Sequence, residues 1–228
     1  IDKKFMKFIK YIIINLFIYP QIFLLNLSYY ISKLFAKKYL QESWVIGVDE
    51  IASNIHFFKK ILKPSVSVCL EKNKSYKWDY DYSINLPNIY LRYFYRFIYA
   101  PILLGYLTNR HTHFWYIWNS GFLIDRKYEF KFLKAKNKKI SCMFVGSDIR
   151  SPKLSLEYTR KINIDYFLSY SKQENSKDFL YRDFKVKQTA IIADLYSDII
   201  FSFKLEQISY LKKKQFPWLC PYPKEKFI

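Results

Sequence analysis

Lys139-Ile-Ser-Cys-Met-Phe-Val-Gly-Ser-Asp-Ile-Arg150, followed at once by Ser151-Pro152, is the stretch from which the fold can be read. Ile140 to Val145 form a short apolar run behind two lysines and ahead of a glycine. A strand buried on both faces of a parallel sheet reads this way, because neither face requires polar residues. Gly146 suits a sharp turn of the backbone. Ser147, Asp148 and Arg150 then stand at the carboxyl end of the strand, where open α/β sheets bind their ligands. The chain has 4 glycines, so one placed between an apolar run and Ser-Asp-Ile-Arg is informative. A plain strand-to-helix turn, with Asp148 or Ser151 capping the next helix, accounts for the same residues.

Upstream, Trp44-Val-Ile-Gly-Val48 reads as another short buried strand. Asp49 to Leu62 reads as a helix with Ile51, Ile55, Phe58 and Leu62 on one face, Asp49 as its N-cap and Glu50 in its positive first turn. Pro64 ends that element, and Ser65 to Leu70 is the next strand. Residues 71–87 read as a surface loop around Trp78-Asp-Tyr-Asp-Tyr82. An aromatic helix containing Arg92, Arg96 and Pro101 is expected from about Asn88 to Leu107, apolar nearly all round and so either buried or dipped into lipid. His113-Phe-Trp-Tyr-Ile117 is a strand, Asn119-Ser-Gly121 its turn, and a lysine-rich helix runs on to about Lys136.

Downstream, Ile164 to Tyr170 fits either a strand or a turn of helix. Asp178 to Tyr196 reads as helix, Asp198 to Ser202 as strand, Leu205 to Lys214 as helix and Phe216 to Cys220 as a last strand. Strands alternating with helices imply parallel βαβ units with right-handed crossovers. The expected fold is α/β: a Rossmann-like parallel sheet with helices on both faces over residues 41–228, plus a membrane-associated helical segment over residues 1–40.

That N-terminal segment carries no charge from Tyr11 to Ser32, with lysines on either side. The run is long enough to span a bilayer. Asn15, Pro20, Gln21, Asn26 and Ser28 interrupt it, however, and Pro20 would kink a helix at its centre. The preferred reading is two short amphipathic helices broken near Pro20, lying in the membrane interface. A true span and a helix docked only on protein are the other possibilities.

Composition bounds the function. The chain has 228 residues, 21% of them aromatic, which excludes disorder of the whole. Lys and Arg number 38 against 19 Asp and Glu, a net charge of +19. Such an excess implies an anionic partner, either an acidic membrane surface or nucleic acid. The lysines are scattered and no RNA- or DNA-binding signature occurs, which argues against nucleic acid. The 3 cysteines, Cys69, Cys142 and Cys220, lie far apart and suggest buried reduced thiols in a cytosolic setting. His111 and His113 share a face beside a strand but have no third ligand nearby, so no metal site is expected. Because the chain starts at Ile1 and stops at Phe227-Ile228, a fragment of a longer protein is expected.

Gly146-Ser-Asp-Ile-Arg150 resembles the His-Gly-Ser-Asp-(Ile/Leu)-Arg strand end in the N-terminal domain of GT-B glycosyltransferases that build bacterial surface polysaccharides. Val145 stands where that family often has histidine. Asp198 to Ser202, Gln207 to Leu211 and Pro221 to Phe227 resemble the strand, helix and proline-rich crossover that close the same domain. The resemblance covers residues 44–228. It implies the acceptor-side half of a hexosyltransferase of capsule or lipopolysaccharide synthesis, at the cytoplasmic face of the bacterial inner membrane. It further implies a lipid-linked or glycan acceptor, and a nucleotide-sugar donor held in a second domain. The chain itself has no Gly-x-Gly-x-x-Gly and no Gly-Lys-(Ser/Thr), so no cofactor is expected on this domain.

Sugar transfer needs a base near the acceptor hydroxyl or, alternatively, groups that position and stabilise charge. Asp148 is the candidate base or the partner that orients Arg150, and Arg150 is a candidate for a phosphate-bearing acceptor. Gly146, Ser147, Asp49, Glu50, Asn119 and Ser120 are the candidate substrate-binding residues, because each follows a strand at the same edge. A basic nucleic-acid-binding module and a non-catalytic membrane scaffold remain the alternatives.

Overall fold

The computed structural model describes residues 3–36, 42–70, 78–117, 119–163, 168–203 and 207–217. In chain order the elements are α1 (Lys3–Leu34), β1 (Trp44–Val48), α2 (Asn54–Ile61), β2 (Ser65–Cys69), β3 (Tyr82–Ser83), α3 (Ile89–Thr108) and β4 (His113–Ile117). They continue with α4 (Arg126–Ala135), β5 (Lys139–Met143), α5 (Pro152–Ile162), α6 (Leu168–Ser171), α7 (Lys177–Tyr196), β6 (Ile199–Phe201) and β7 (Gln215–Phe216).

Among the described residues the strands form one seven-stranded sheet, ordered β3-β2-β1-β4-β5-β6-β7. Every pairing is parallel. The α/β Rossmann-like fold expected from the sequence is therefore present. β1 to β3 step one way from the centre and β4 to β7 step the other, so the order reverses between β1 and β4. Such a reversal opens a crevice beyond the carboxyl ends of the two central strands.

Side-chain burial follows from that placement. All of β4 is buried, as are the last four residues of β1 and of β5. α2 packs Ile55 and Phe58 against Ile46, Cys69 and Trp115 on one face of the sheet. The opposite face holds the larger core, where Leu104 and Leu107 of α3, Phe130 and Leu133 of α4 and Ala190 and Ala193 of α7 meet Phe114, Tyr116, Ile140 and Cys142. Helices therefore cover both faces, as expected. Cys69 and Cys142 are buried thiols that form no disulfide, and Cys220 lies outside the described residues.

Helix starts follow the local chemistry. Asn88, Asp125, Ser151 and Ser176 each accept a backbone N–H from the first turn of α3, α4, α5 and α7. The expected Asp49 cap is not among them. α2 begins at Asn54 behind a left-handed Ser53 whose side chain makes no cap bond. The intervening residues Ile51 to Ser53 form a turn, so the helix read from Asp49 is shorter at its start by five residues.

Three further expectations are corrected. α1 is one helix that runs through Pro20 rather than two helices broken there. Proline removes a single backbone donor, and the turn that follows it is fixed on α3 by Gln21. The stretch read as a surface loop contains β3, whose Tyr82 and Ser83 pair with Val68 and Cys69. Residues 207–214, read as part of a helix, are not helical. They are tied down by polar contacts instead: Gln207 donates to the Phe144 carbonyl at 3.0 Å and Ser202 donates to Gln207 at 2.6 Å. The ambiguous stretch resolves to the short helix α6 where it is described, and residues 164–167 lie outside. The crossover at Pro221 to Phe227 also lies outside the described residues.

α1 packs along α3 at a point of close backbone approach. A Cβ on Gly105 would lie 2.7 Å from both the Leu25 carbonyl oxygen and the Tyr29 nitrogen. Ser28, which looked like an interruption of an apolar span, takes part in this contact. Ser28 donates to the Ile102 carbonyl at 2.6 Å, and Asn109 donates to the Tyr29 carbonyl and to Ser32, each at 2.7 Å. Leu25 is wholly buried and belongs to the main core. The other faces of α1 expose Leu16, Phe17, Tyr19, Phe23, Tyr30 and Leu34. Among the described residues no helix is long and apolar enough to cross a membrane.

Candidate functional site at the strand ends

The candidate residues named from the sequence all lie at the carboxyl edge of the sheet, but their side chains do different things. Asp148 is buried and folded back onto its own turn. One carboxylate oxygen accepts the Gly146 N–H at 2.8 Å and the other the Val145 N–H at 3.4 Å. Burial pushes its pKa up to about 6, against the pull of those backbone bonds and of the nearby Arg126 charge. Capping of α5 falls to Ser151, which accepts the Leu154 N–H at 3.0 Å and donates to Asp183 at 2.5 Å. Ser147 is exposed, and Arg150 is half-buried with its N–H on the Gly146 carbonyl at 3.3 Å.

Gly146 differs from its expected role. No glycine has a positive φ, so the turn does not require one there. A Cβ on Gly146 would meet nothing within 4 Å. What the glycine leaves is open space beside the backbone at the strand end.

Glu50 is an internal cap. Its carboxylate accepts the Ile55 and His56 N–H groups at 3.2 and 3.3 Å, and the Tyr80 hydroxyl at 3.0 Å. Burial raises its pKa despite these bonds. It serves the start of α2 from outside the helix and presents no oxygen to a ligand. Asp49 is half-buried, with Arg96 of α3 3.6 Å from its Oδ1, an oxygen that is buried and accepts no hydrogen bond among the described residues.

Asn119 is also committed, accepting from Arg126 at 2.7 Å and from Thr189 at 3.0 Å. Ser120 is half-buried beside it. The structure thus links the β4 and β5 ends through Arg126, which the sequence reading did not single out. Arg126 also donates to the Cys142 sulfur at 3.6 Å and lies over the Phe130 ring, 4.9 Å from its centre. Next to it Glu129 is fully buried. It accepts the Tyr116 hydroxyl at 2.5 Å and the Leu123 N–H at 2.8 Å, and burial raises its pKa. A signal for this cluster was present: Arg126, Glu129, Phe130 and Leu133 share the spacing of one helix face, so two charges stand in an apolar stripe.

Arg96 is the second residue missed. It donates to the Gly121 carbonyl at 3.3 Å while reaching Asp49, and so spans the crevice between the β1 and β4 ends. Beside it lies a groove of about 570 Å³ between α1, α3 and the loop after β4. Phe17, Phe94, Phe97, Phe122, Leu123 and Ile124 make its apolar walls, and Gln21, Tyr93 and Arg96 are its polar side chains. A second apolar groove of about 600 Å³ lies further along α1 and α3, between Leu27 and Tyr106.

Among the described residues, no group of three or more His, Cys, Asp or Glu is placed to hold a metal ion. His113 is buried in β4 and stacks on Trp44 with ring centres 4.3 Å apart. Burial pushes His111 down to about 4. No protein-family model matches the chain, and no curated protein or solved structure does either.

Proposed function

We propose that this chain is the acceptor-side domain of a membrane-associated glycosyltransferase, moving a sugar from a nucleotide-sugar donor to a lipid-linked or glycan acceptor of a bacterial surface polysaccharide. The observation that carries the reading is the crevice at the order reversal between β1 and β4. It lies next to exposed apolar faces of α1 and of the first turns of α3. In doubly wound sheets that crevice is the ligand site. Apolar helix faces on a chain of net charge +19 suit the interface of an anionic bilayer, here the cytoplasmic face of the inner membrane. The donor would be held by a second domain, as the resemblance of Gly146 to Arg150 implies.

In this reading Asp148 is the group that could hold a proton near neutral pH. Its raised pKa fits a general base, but both its oxygens face its own turn. Base catalysis would therefore require the turn at Gly146 to open by a rotation of the Asp148 side chain. Arg150, Ser147 and Ser120 stand at the same edge as acceptor-positioning candidates.

The inward fold of Asp148 favours a second reading, in which the sheet is only a platform and the protein is a non-catalytic membrane scaffold. Sugar transfer onto membrane acceptors by the whole protein, with Asp148→Asn and Arg150→Ala compared, separates the two. Loss of transfer with an intact fold supports the enzyme. Unchanged surface glycan in cells carrying both substitutions would leave the scaffold.

A further inference from the structure

We infer that α1 lies in the plane of an anionic bilayer, with its outer apolar stripe and the first two turns of α3 immersed among the lipids, so that the strand-end crevice opens at head-group level. This rests on the membrane-associated reading above and gives it a face and an orientation.

The stripe is regular. Leu16, Tyr19, Phe23, Leu27, Tyr30 and Leu34 follow one another at three or four residues, the spacing of one helix face, and are 44% to 80% exposed. At 1.5 Å per residue the stripe is about 27 Å long. The opposite side of the helix carries Gln21, Leu25 and Ser32, which are buried against α3 and the core. That docking argues against a span, because a crossing helix would have to pull Leu25 out of the core. An in-plane helix keeps both contacts.

Two observations select a bilayer over a protein partner. The first is the shape of the exposed surface. Residues 89–91 and 93–95 of α3 are 46% to 81% exposed. These positions turn about twice around the helix axis, so apolar surface points outward on every side. A protein surface covers one side of a helix, whereas lipid closes around it. Asn88 readies this tip for a phase without water, accepting the Tyr90 and Leu91 N–H groups at 2.9 and 3.2 Å. Tyrosine recurs on both helices, as it does at membrane–water boundaries.

The second is charge. α1 holds Lys3, Lys4, Lys7, Lys10 and Lys33, and neither α1 nor α3 contains an acidic residue. α7 also exposes Leu180, Phe184, Ile191 and Leu195, but it mixes its lysines with Asp178, Asp183 and Asp194. Basic, acid-free helices complement anionic head groups, and α7 offers no such match. The crevice follows from the same placement. Arg96, which reaches the Gly121 carbonyl and Asp49, is three residues beyond the immersed Tyr93, about 4.5 Å along the axis.

The test uses the full chain with Cys220→Ser and one added cysteine, Phe23→Cys, Phe94→Cys or Leu195→Cys, carrying an environment-sensitive fluorophore. Cys69 and Cys142 are buried and stay unlabelled. Vesicles of phosphatidylcholine with about one third phosphatidylglycerol carry nitroxide quenchers on their acyl chains. Quenching is expected at positions 23 and 94 and not at 195. Pure phosphatidylcholine should bind at least about tenfold more weakly. Phe23→Glu with Phe94→Glu, both at exposed positions, should weaken binding to anionic vesicles about tenfold or more with circular dichroism unchanged, because two charges would enter the apolar layer. Quenching at 195 equal to that at 23 and 94 would overturn the chosen face. No binding to anionic vesicles, or equal binding to pure phosphatidylcholine, would overturn the anionic bilayer. A dimer that shields position 23 without vesicles would put a second copy of the chain in its place. Binding is read without sugar transfer, so a bound but inactive protein counts against the enzyme reading and leaves this one standing, and an active protein that stays off vesicles does the reverse.

Discussion

Gln21 accepts the backbone N–H of Ile124 at 2.9 Å and donates to the Phe97 carbonyl at 3.2 Å, joining α1 to a loop 103 residues away and to the middle of α3. The residue is 3% exposed. In the sequence it sits next to Pro20 inside an uncharged run and looks like a flaw in a membrane segment. In the fold it is one of the polar groups that hold α1 in place, together with Ser28 and Asn109.

Gln21→Leu should therefore take the side-chain partner from two partly buried backbone groups, at a cost of at most about 1–3 kcal/mol each. The expected outcome is faster proteolysis within α1 and a lower denaturation midpoint. Cleavage kinetics under limiting protease, together with chemical denaturation, check it. No change in either would mean that α1 docks without help from the Gln21 bonds.

Two glycines should respond in opposite ways to alanine. At Gly105 the new methyl would collide with α1 backbone atoms 2.7 Å away, and neither helix can yield without separating. Overpacking of this kind costs about 1–3 kcal/mol. At Gly146 nothing lies within 4 Å, so Gly146→Ala should change stability by no more than about 0.5 kcal/mol. Loss of sugar transfer in Gly146→Ala with unchanged melting would show that a ligand needs that space.

Asp148 sets a pH dependence whose sign is opposite to that of a salt-bridged carboxylate. Its folded pKa is raised from 3.8 to about 6. Below 3.8 the group is protonated both folded and unfolded, and the stability it permits is fully present. As pH rises toward 6 the unfolded chain releases its proton first, and that stability is lost, about 3 kcal/mol in all. Glu50 and Glu129, whose pKa values burial also raises, act in the same direction, whereas Asp81 and Asp198 are lowered by lysine partners and act in the other. The difference between wild type and Asp148→Asn isolates the single group. Wild type should lose stability relative to the variant between about pH 4 and 6, measured by urea denaturation across that range. A flat difference would place Asp148 in water.

Arg126→Met should destabilise more than a surface change, because Asn119 loses a charge-assisted bond at 2.7 Å and Glu129 loses a nearby cation. A hydrogen bond to a charged group contributes about 1.5–3 kcal/mol. The same variant should raise the Asp148 pKa further, since Arg126 now lowers it. The pH-dependent stability difference described above would then shift to higher pH in the Arg126→Met background.

Much of the architecture was legible because buried parallel strands announce themselves. Val45 to Val48, Phe114 to Ile117 and Ile140 to Met143 are apolar runs too short for helices, and each is followed by polar residues that can only lie at one sheet edge. The caps at Asn88, Asp125, Ser151 and Ser176 are likewise local, since the accepting side chain and the donating backbone N–H sit within three residues. The candidate residues therefore stand at the carboxyl edge of the sheet, where their order after the strands put them.

Their roles were not legible, because direction at a strand end depends on partners far along the chain. Glu50 turns inward to backbone donors and to Tyr80, and Asn119 is taken by Arg126 and Thr189, 7 and 70 residues on. Composition and periodicity carry no record of such pairings. The same holds for α1: the sequence by itself determined a long uncharged helix-forming run, while only the tertiary structure decided that Ser28 meets Gly105, that Gln21 reaches Phe97 and Ile124, and that Pro20 does not break it. Local propensity is fixed by neighbours three and four residues away, whereas burial of a polar side chain is favourable only when a distant partner arrives to satisfy it.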